Sequence, residues 1–140
     1  MAIHFFNEDI EAPKIDKTQI KRWVKRVVSE HSKILGEINY IFTSDSSILK
    51  INQDYLQHDY YTDVITFDYS EERKIAGDIF ISLETVKSNA QKFEQDFDIE
   101  LHRVIIHGIL HLIGFEDKTP QNQKIMRLQE NNALTLLKNI

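Results

Sequence analysis

From about Ile99 to Ile113 the chain reads as a helix that is apolar nearly all round. Leu101, Val104, Ile105, Ile106, Ile109, Leu110, Leu112 and Ile113 leave it no polar face. A helix of that kind is a buried one, so the rest of the fold has to be built around it. Two imidazoles, His107 and His111, lie within this helix. An imidazole buried without a partner is costly, and the pair therefore calls for a metal ion or for firm hydrogen bonds. A separation of four puts both rings on one helix face, about 6 Å apart along the axis and roughly 40° apart around it.

The next residues extend the pattern. Gly114 follows His111 by three, and Asp117 follows Gly114 by three. Glycine can take the left-handed conformation that ends a helix, after which Phe115-Glu116-Asp117 can swing a carboxylate towards the imidazoles. Zinc peptidases of the metzincin type use such a layout: two His on a helix, a break at Gly, and a third ligand from the returning chain. An isolated HxxxH pair is often accidental, and the Gly and the acidic residue are what make His107, His111 and Asp117 a candidate ligand set. Two neutral imidazoles and one carboxylate leave a fourth position for water, a catalytic rather than a structural arrangement. Gly108 stands where a peptidase has its general-base Glu, which disfavours peptide hydrolysis and suggests room for a bulky substrate. Glu116 is a candidate base or alternative ligand. Asp63 and Asp78 are candidates for orienting the ligands from behind, with turn or strand-end capping as the competing role.

At 140 residues the chain is long enough to bury a sizeable core, and it reads as one domain over residues 1–140. It has no cysteine, so any metal site must be built from His and carboxylates. The start MAIHFFNEDIEAPK lacks the basic and apolar runs of a secretory signal, and no segment approaches the ~20 apolar residues that span a bilayer. A cytoplasmic protein without membrane association is expected, with a monomer as the default.

The net charge of −5 weighs against an all-over nucleic-acid binder, but the charge is uneven. Residues 1–33 carry seven Lys and Arg against five Asp and Glu; the remainder carries ten against seventeen. The first helix is the one clearly basic element, with Lys21, Arg22, Lys25 and Arg26 as candidate nucleic-acid contacts. Such a stripe can follow a phosphate backbone; it can equally be a solvated face.

Periodicity predicts a short strand at Ile3–Phe6, then a helix from Asp16 to about His31 with Ile20, Trp23, Val24, Val27 and Val28 inward. Glu37–Thr43 alternates as a strand. A second helix follows, carrying Ile48, Leu49, Ile51 and Leu56. Thr62–Asp68 and Ile75–Ser82 read as a hairpin. A polar helix over Leu83–Glu94 has Val86, Ala90 and Phe93 as its inner stripe. After the central helix, Thr119 caps a last helix with Pro120 at its first position, running to about Lys138 with Ile125, Met126, Leu128, Leu134 and Leu137 inward. The expected class is α+β: one domain, four strands in a mixed sheet, about five helices, and a zincin-like metal helix.

Two motifs, in this order, make the chain resemble the YbeY family of bacterial rRNA maturation factors over nearly its whole length. Thr62-Asp63-Val64-Ile65-Thr66-Phe67 with Gly77-Asp78-Ile79-Phe80-Ile81-Ser82 is similar to the family's TDVLSF and GDIxIS. His107 to Asp117, HGILHLIGFED, is similar to HGxLHLxGYDH. The resemblance implies a mixed sheet covered by helices and a metal-dependent, single-strand-specific endoribonuclease. It further implies a role in rRNA maturation at the 16S 3′ end and in ribosome quality control, with rRNA and the small ribosomal subunit as partners. The chain departs from the pattern twice. Asp117 occupies the place of the family's third His, read here as an exchange of ligand. The charge it adds weakens the ion as a Lewis acid; zinc is the expected ion, and the oxygen ligand widens the choice towards manganese, magnesium or another divalent ion. Leu56 stands where the family usually has Arg, so another cation has to face the phosphate, with Arg103 beside the metal helix a candidate. The rival readings are a metal-dependent hydrolase of a peptide or small phosphoester, and a ribosome-associated binding protein whose metal only braces the fold.

Overall fold

A computed structural model describes residues 2–56 and 62–140 of the chain. The Leu56 side chain and residues 57–61, His58 among them, lie outside what is described. The elements run β1 (Ile3–Asn7), α1 (Lys17–Glu30), β2 (Ile34–Thr43), α2 (Asp45–Leu56), β3 (Val64–Asp68), β4 (Lys74–Ser82), α3 (Leu83–Lys92), α4 (Phe97–Ile113) and α5 (Pro120–Leu137). Helix starts follow the capping chemistry. Asp16 accepts from the Gln19 N–H, Ser82 from the Thr85 N–H and Thr119 from the Asn122 N–H.

The described strands form one mixed sheet in the order β1-β2-β4-β3. The β1–β2 and β2–β4 pairs are parallel, as chain connections through helices allow. The expected hairpin is present, with β3 antiparallel to β4 from Val64↔Ile81 to Asp68↔Gly77. β3 thereby ends the sheet. β2 begins earlier than its alternation suggests, at Ile34, because the pairing shifts register between Leu35 and Ile38 and the regular pattern starts only after that irregularity.

The central helix is where its composition requires it to be. α4 contacts α1, α3, α5, β3 and β4, and Leu101, Val104, Ile105, Ile106, Ile109 and Leu110 are buried. Two buried aromatics fasten the layers by their polar ends. Trp23 Nε1 donates to the Ala133 carbonyl at 2.7 Å, tying α1 to α5, and the Tyr40 hydroxyl donates to the Ile105 carbonyl at 2.9 Å, tying β2 to α4.

Gly108 belongs to this packing. A Cβ there would lie 2.8 Å from Ile79 Cγ2 and 2.9 Å from Ile79 Cδ1. The space that the sequence suggests for a substrate is filled by strand β4, and the missing side chain lets α4 approach the sheet. For Gly108→Ala, overpacking of typically 1–3 kcal/mol outweighs the ~1 kcal/mol gained in helix propensity. We expect a net loss of about 1 kcal/mol and a melting temperature several degrees lower. Thermal denaturation checks this, and an unchanged melting temperature would mean that Ile79 yields without strain.

Three residues expected inside are exposed: Phe93, Ile125 and Leu128. Phe93 lies beyond the last turn of α3, in the cap position, and escapes the inner stripe. On α5 the buried face is Met126, Glu130 and Ala133, rotated away from the more hydrophobic one. The rotation brings a glutamate into the interior. No helix among the described residues is long and apolar enough to cross a membrane.

Candidate metal centre

α4 ends as its glycine predicts. Gly114 has φ +128°, its N–H bonds the carbonyls of Leu110 and His111, and the Phe115 N–H also returns to Leu110. The Phe115 ring then meets His31 edge-on at 5.3 Å between centroids, fixing the returning chain against the end of α1. Asp117 is thereby aimed back at α4. Its Oδ2 is 3.2 Å from His107 Nε2 and 3.3 Å from His111 Nε2.

These separations fit an ion. Zinc held at ~2.0–2.2 Å in tetrahedral geometry has its ligand atoms roughly 3.3–3.5 Å apart. All three donor atoms lie within 4.8 Å of one another, and this is the one such group among the described residues. The donor chemistry, two imidazole nitrogens and one carboxylate oxygen, suits zinc and other first-row divalent ions.

His107 has a further partner that sequence reasoning did not identify. Glu130, 5% exposed on α5, accepts from His107 Nδ1 at 2.7 Å with Oε2 and from Arg103 at 2.9 Å with Oε1. With its proton committed to Glu130 at Nδ1, His107 presents the Nε2 lone pair towards Asp117 and His111. The available signal was a charged residue at the i, i+4, i+7 spacing of Met126, Glu130 and Ala133. Hydrophobicity alone passes over it.

The two imidazoles have different proton affinities. Burial opposes the charged form of His107, but the Glu130 hydrogen bond and charge, helped by Asp117 and Asp63, hold its pKa above the usual value. Burial, and then the neighbouring His107, push His111 below it. Burial on its own would raise Glu130, yet the hydrogen bonds from His107 and Arg103 hold it below the ordinary range.

The centre opens on a cleft of about 730 Å³ bordered by the β3 edge (Thr66 and Asp68), Asn52 of α2 and the returning chain through Lys118. Glu116 stands exposed on its rim. Asp63 lines the cleft, its carboxyl raised by burial and partly drawn back by the His107 charge. Other candidates lie elsewhere. Asp78 accepts from Asn39 Nδ2 at 3.0 Å across β2 and β4, which is a bond within the sheet. Arg103 stands behind the His107–Glu130 pair and does not line the cleft. Lys21, Arg22, Lys25 and Arg26 lie on the outer side of α1 away from the cleft, Arg26 pairing with Glu30 at 2.9 Å.

Comparison with known proteins agrees with this geometry. The profile of the family described as Endoribonuclease YbeY matches residues 5–138. The chain is 55% identical over 137 residues to the Endoribonuclease YbeY of Parabacteroides distasonis, covering 98% of this chain and 96% of that one. It is 56% identical over 135 residues to the Endoribonuclease YbeY of Phocaeicola vulgatus, covering 96% and 98%. A solution structure of a Thermotoga maritima protein is similar at a TM-score of 0.63 and 26% identity, covering 98% of this chain and 92% of that one. The chain belongs to the YbeY family.

Proposed function

We propose that this chain is a metal-dependent endoribonuclease that cuts single-stranded RNA in rRNA maturation, with the small ribosomal subunit as its partner, zinc as its ion, and a cytoplasmic monomer as the working form. The observation that supports it most is the placement of Asp117 Oδ2 at 3.2 and 3.3 Å from the two Nε2 atoms, at the mouth of an open cleft. The relatives from Parabacteroides distasonis and Phocaeicola vulgatus are named endoribonucleases. A divalent ion held by His107, His111 and Asp117 would activate water at neutral pH and offset the charge of the attacked phosphate. Glu130 fixes the ring and tautomer of His107, and Arg103 holds Glu130 in place. Position 108 faces the sheet, so the proton of the attacking water passes to a carboxylate on the cleft wall, where Asp63 and Glu116 stand.

The direct test is cleavage of single-stranded RNA by zinc-loaded protein. Activity should disappear with chelator, return with added ion, and be absent in His111→Ala. A folded, metal-loaded protein that leaves RNA intact would assign the centre to bracing the fold for a binding role.

A further inference from the structure

A second groove, of about 510 Å³, meets the same centre from the α5 side. His107 and Asp117 line it as they line the cleft, so the two hollows adjoin at two of the three candidate ligands. Their charges differ: the cleft is acidic, whereas in the groove two cations balance the two carboxylates, Asp117 and Glu130. Among the described residues of the cleft, Asp63, Asp68, Glu116 and Asp117 face one cation, Lys118. The groove carries Lys124 and Arg127. Its own buried carboxylate, Glu130, already serves His107 at 2.7 Å and Arg103 at 2.9 Å. Arg127 touches Glu130 only at 3.5 Å and its side chain is 60% exposed, so guanidinium donors remain accessible along the groove it lines. An anionic strand in that cleft meets one protein cation, Lys118, against four carboxylates, and the groove that shares His107 and Asp117 with it adds Lys124 and Arg127.

We infer that the groove is a phosphate subsite: Lys124 and Arg127 bind the backbone phosphate next to the one at the metal centre, so that single-stranded RNA crosses from the β3 cleft onto α5. This rests on the endoribonuclease reading and adds to it a strand path and two binding residues. Lysine supplies a point charge and arginine a fork of donors, a pairing that grips a phosphodiester without reading a base.

The test is binding of a short 2′-O-methyl oligoribonucleotide, which resists cleavage, to zinc-loaded full-length protein over a range of salt. In Lys124→Gln/Arg127→Gln the dissociation constant should rise roughly tenfold, and the slope of log affinity against log salt should shrink by about 1.4, two contacts at ~0.7 each for a single strand. Metal content should stay at the wild-type level. The charge-conserving pair Lys124→Arg/Arg127→Lys should keep the wild-type slope. An affinity and slope unmoved by the Gln pair, in a wild-type protein that cuts RNA, overturns the subsite and leaves the activity standing. A wild type that binds through these residues but cuts no unmodified RNA overturns the activity and leaves the subsite. Absence of oligonucleotide binding by the wild type overturns both.

Discussion

Asp117→Ala should purify folded but nearly free of metal. The variant deletes the one anionic donor of the three, and with it the atom that lies within 3.3 Å of both imidazole nitrogens. Loss of a partner that merely orients a ligand costs ~10–100-fold in metal affinity, so loss of a ligand itself should exceed 100-fold, or more than about 2.7 kcal/mol. RNA cleavage should fall with it. The fold has little to lose, because Asp117 is only partly buried and lies in a connecting segment between α4 and α5. Metal stoichiometry by mass spectrometry on protein purified without chelator, wild type beside variant, decides the matter. Full occupancy in Asp117→Ala would remove it from the ligand set. Asp117→His is the informative companion: it should hold the ion with one negative charge fewer, leaving a stronger Lewis acid.

Glu130→Gln should be the most damaging change at a residue that does not face the cleft. The amide can still accept from Arg103 with its oxygen, but it then points an N–H₂ group at His107 Nδ1. A donor there forces Nδ1 to accept and moves the ring proton to Nε2, where an ion would need the lone pair. Affinity at pH 8 should drop ~10–100-fold. A second readout separates orientation from simple destabilisation. In the wild type Glu130 raises the His107 pKa, so protons compete with the ion up to a pH above the usual imidazole value of about 6.5. Occupancy is then complete at high pH and is lost as pH falls through that raised value. Without the carboxylate, burial lowers the His107 pKa against only Asp117 and Asp63, so the pKa falls below its wild-type value. The acid edge of metal uptake should therefore move to lower pH even as affinity at high pH declines. A weaker affinity with an unmoved acid edge would reduce Glu130 to a packing role. Glu130→Ala is the poorer probe, because stripping one partner from a buried ion pair costs ~3–5 kcal/mol of stability.

The centre was legible in the chain to the extent that it is local. His107, His111, Gly114 and Asp117 lie within eleven residues, and helix geometry with one glycine turn brings them together without help from the rest of the fold. α4 announced its burial because a run with no polar face has no other stable place. The hairpin and the caps at Asp16 and Thr119 were equally local. Glu130 was not, since it lies 23 positions from His107 and its inward turn is stabilised by partners on another helix. Hydrophobicity weighs each side chain alone and therefore set Ile125 and Leu128 inward on α5, off the face of Met126, Glu130 and Ala133 that is buried. Gly108 misled for the same reason. Its meaning is a contact with Ile79 on β4, and nothing beside it in the chain shows which wall it meets.

β3 closes the sheet on the cleft side, and among the described residues no further strand pairs with its outer edge. An open edge invites pairing with a neighbouring chain, and proteins commonly guard such edges by shortness and charge. Here covering the edge would also wall off the cleft, so only the milder safeguards remain: a length of five residues, an aspartate at its far end, and Tyr55 set edge-on against Phe67 at 5.9 Å. Colloidal behaviour and substrate access thus depend on the same short stretch of backbone, and a substitution that lengthens or neutralises it trades one against the other.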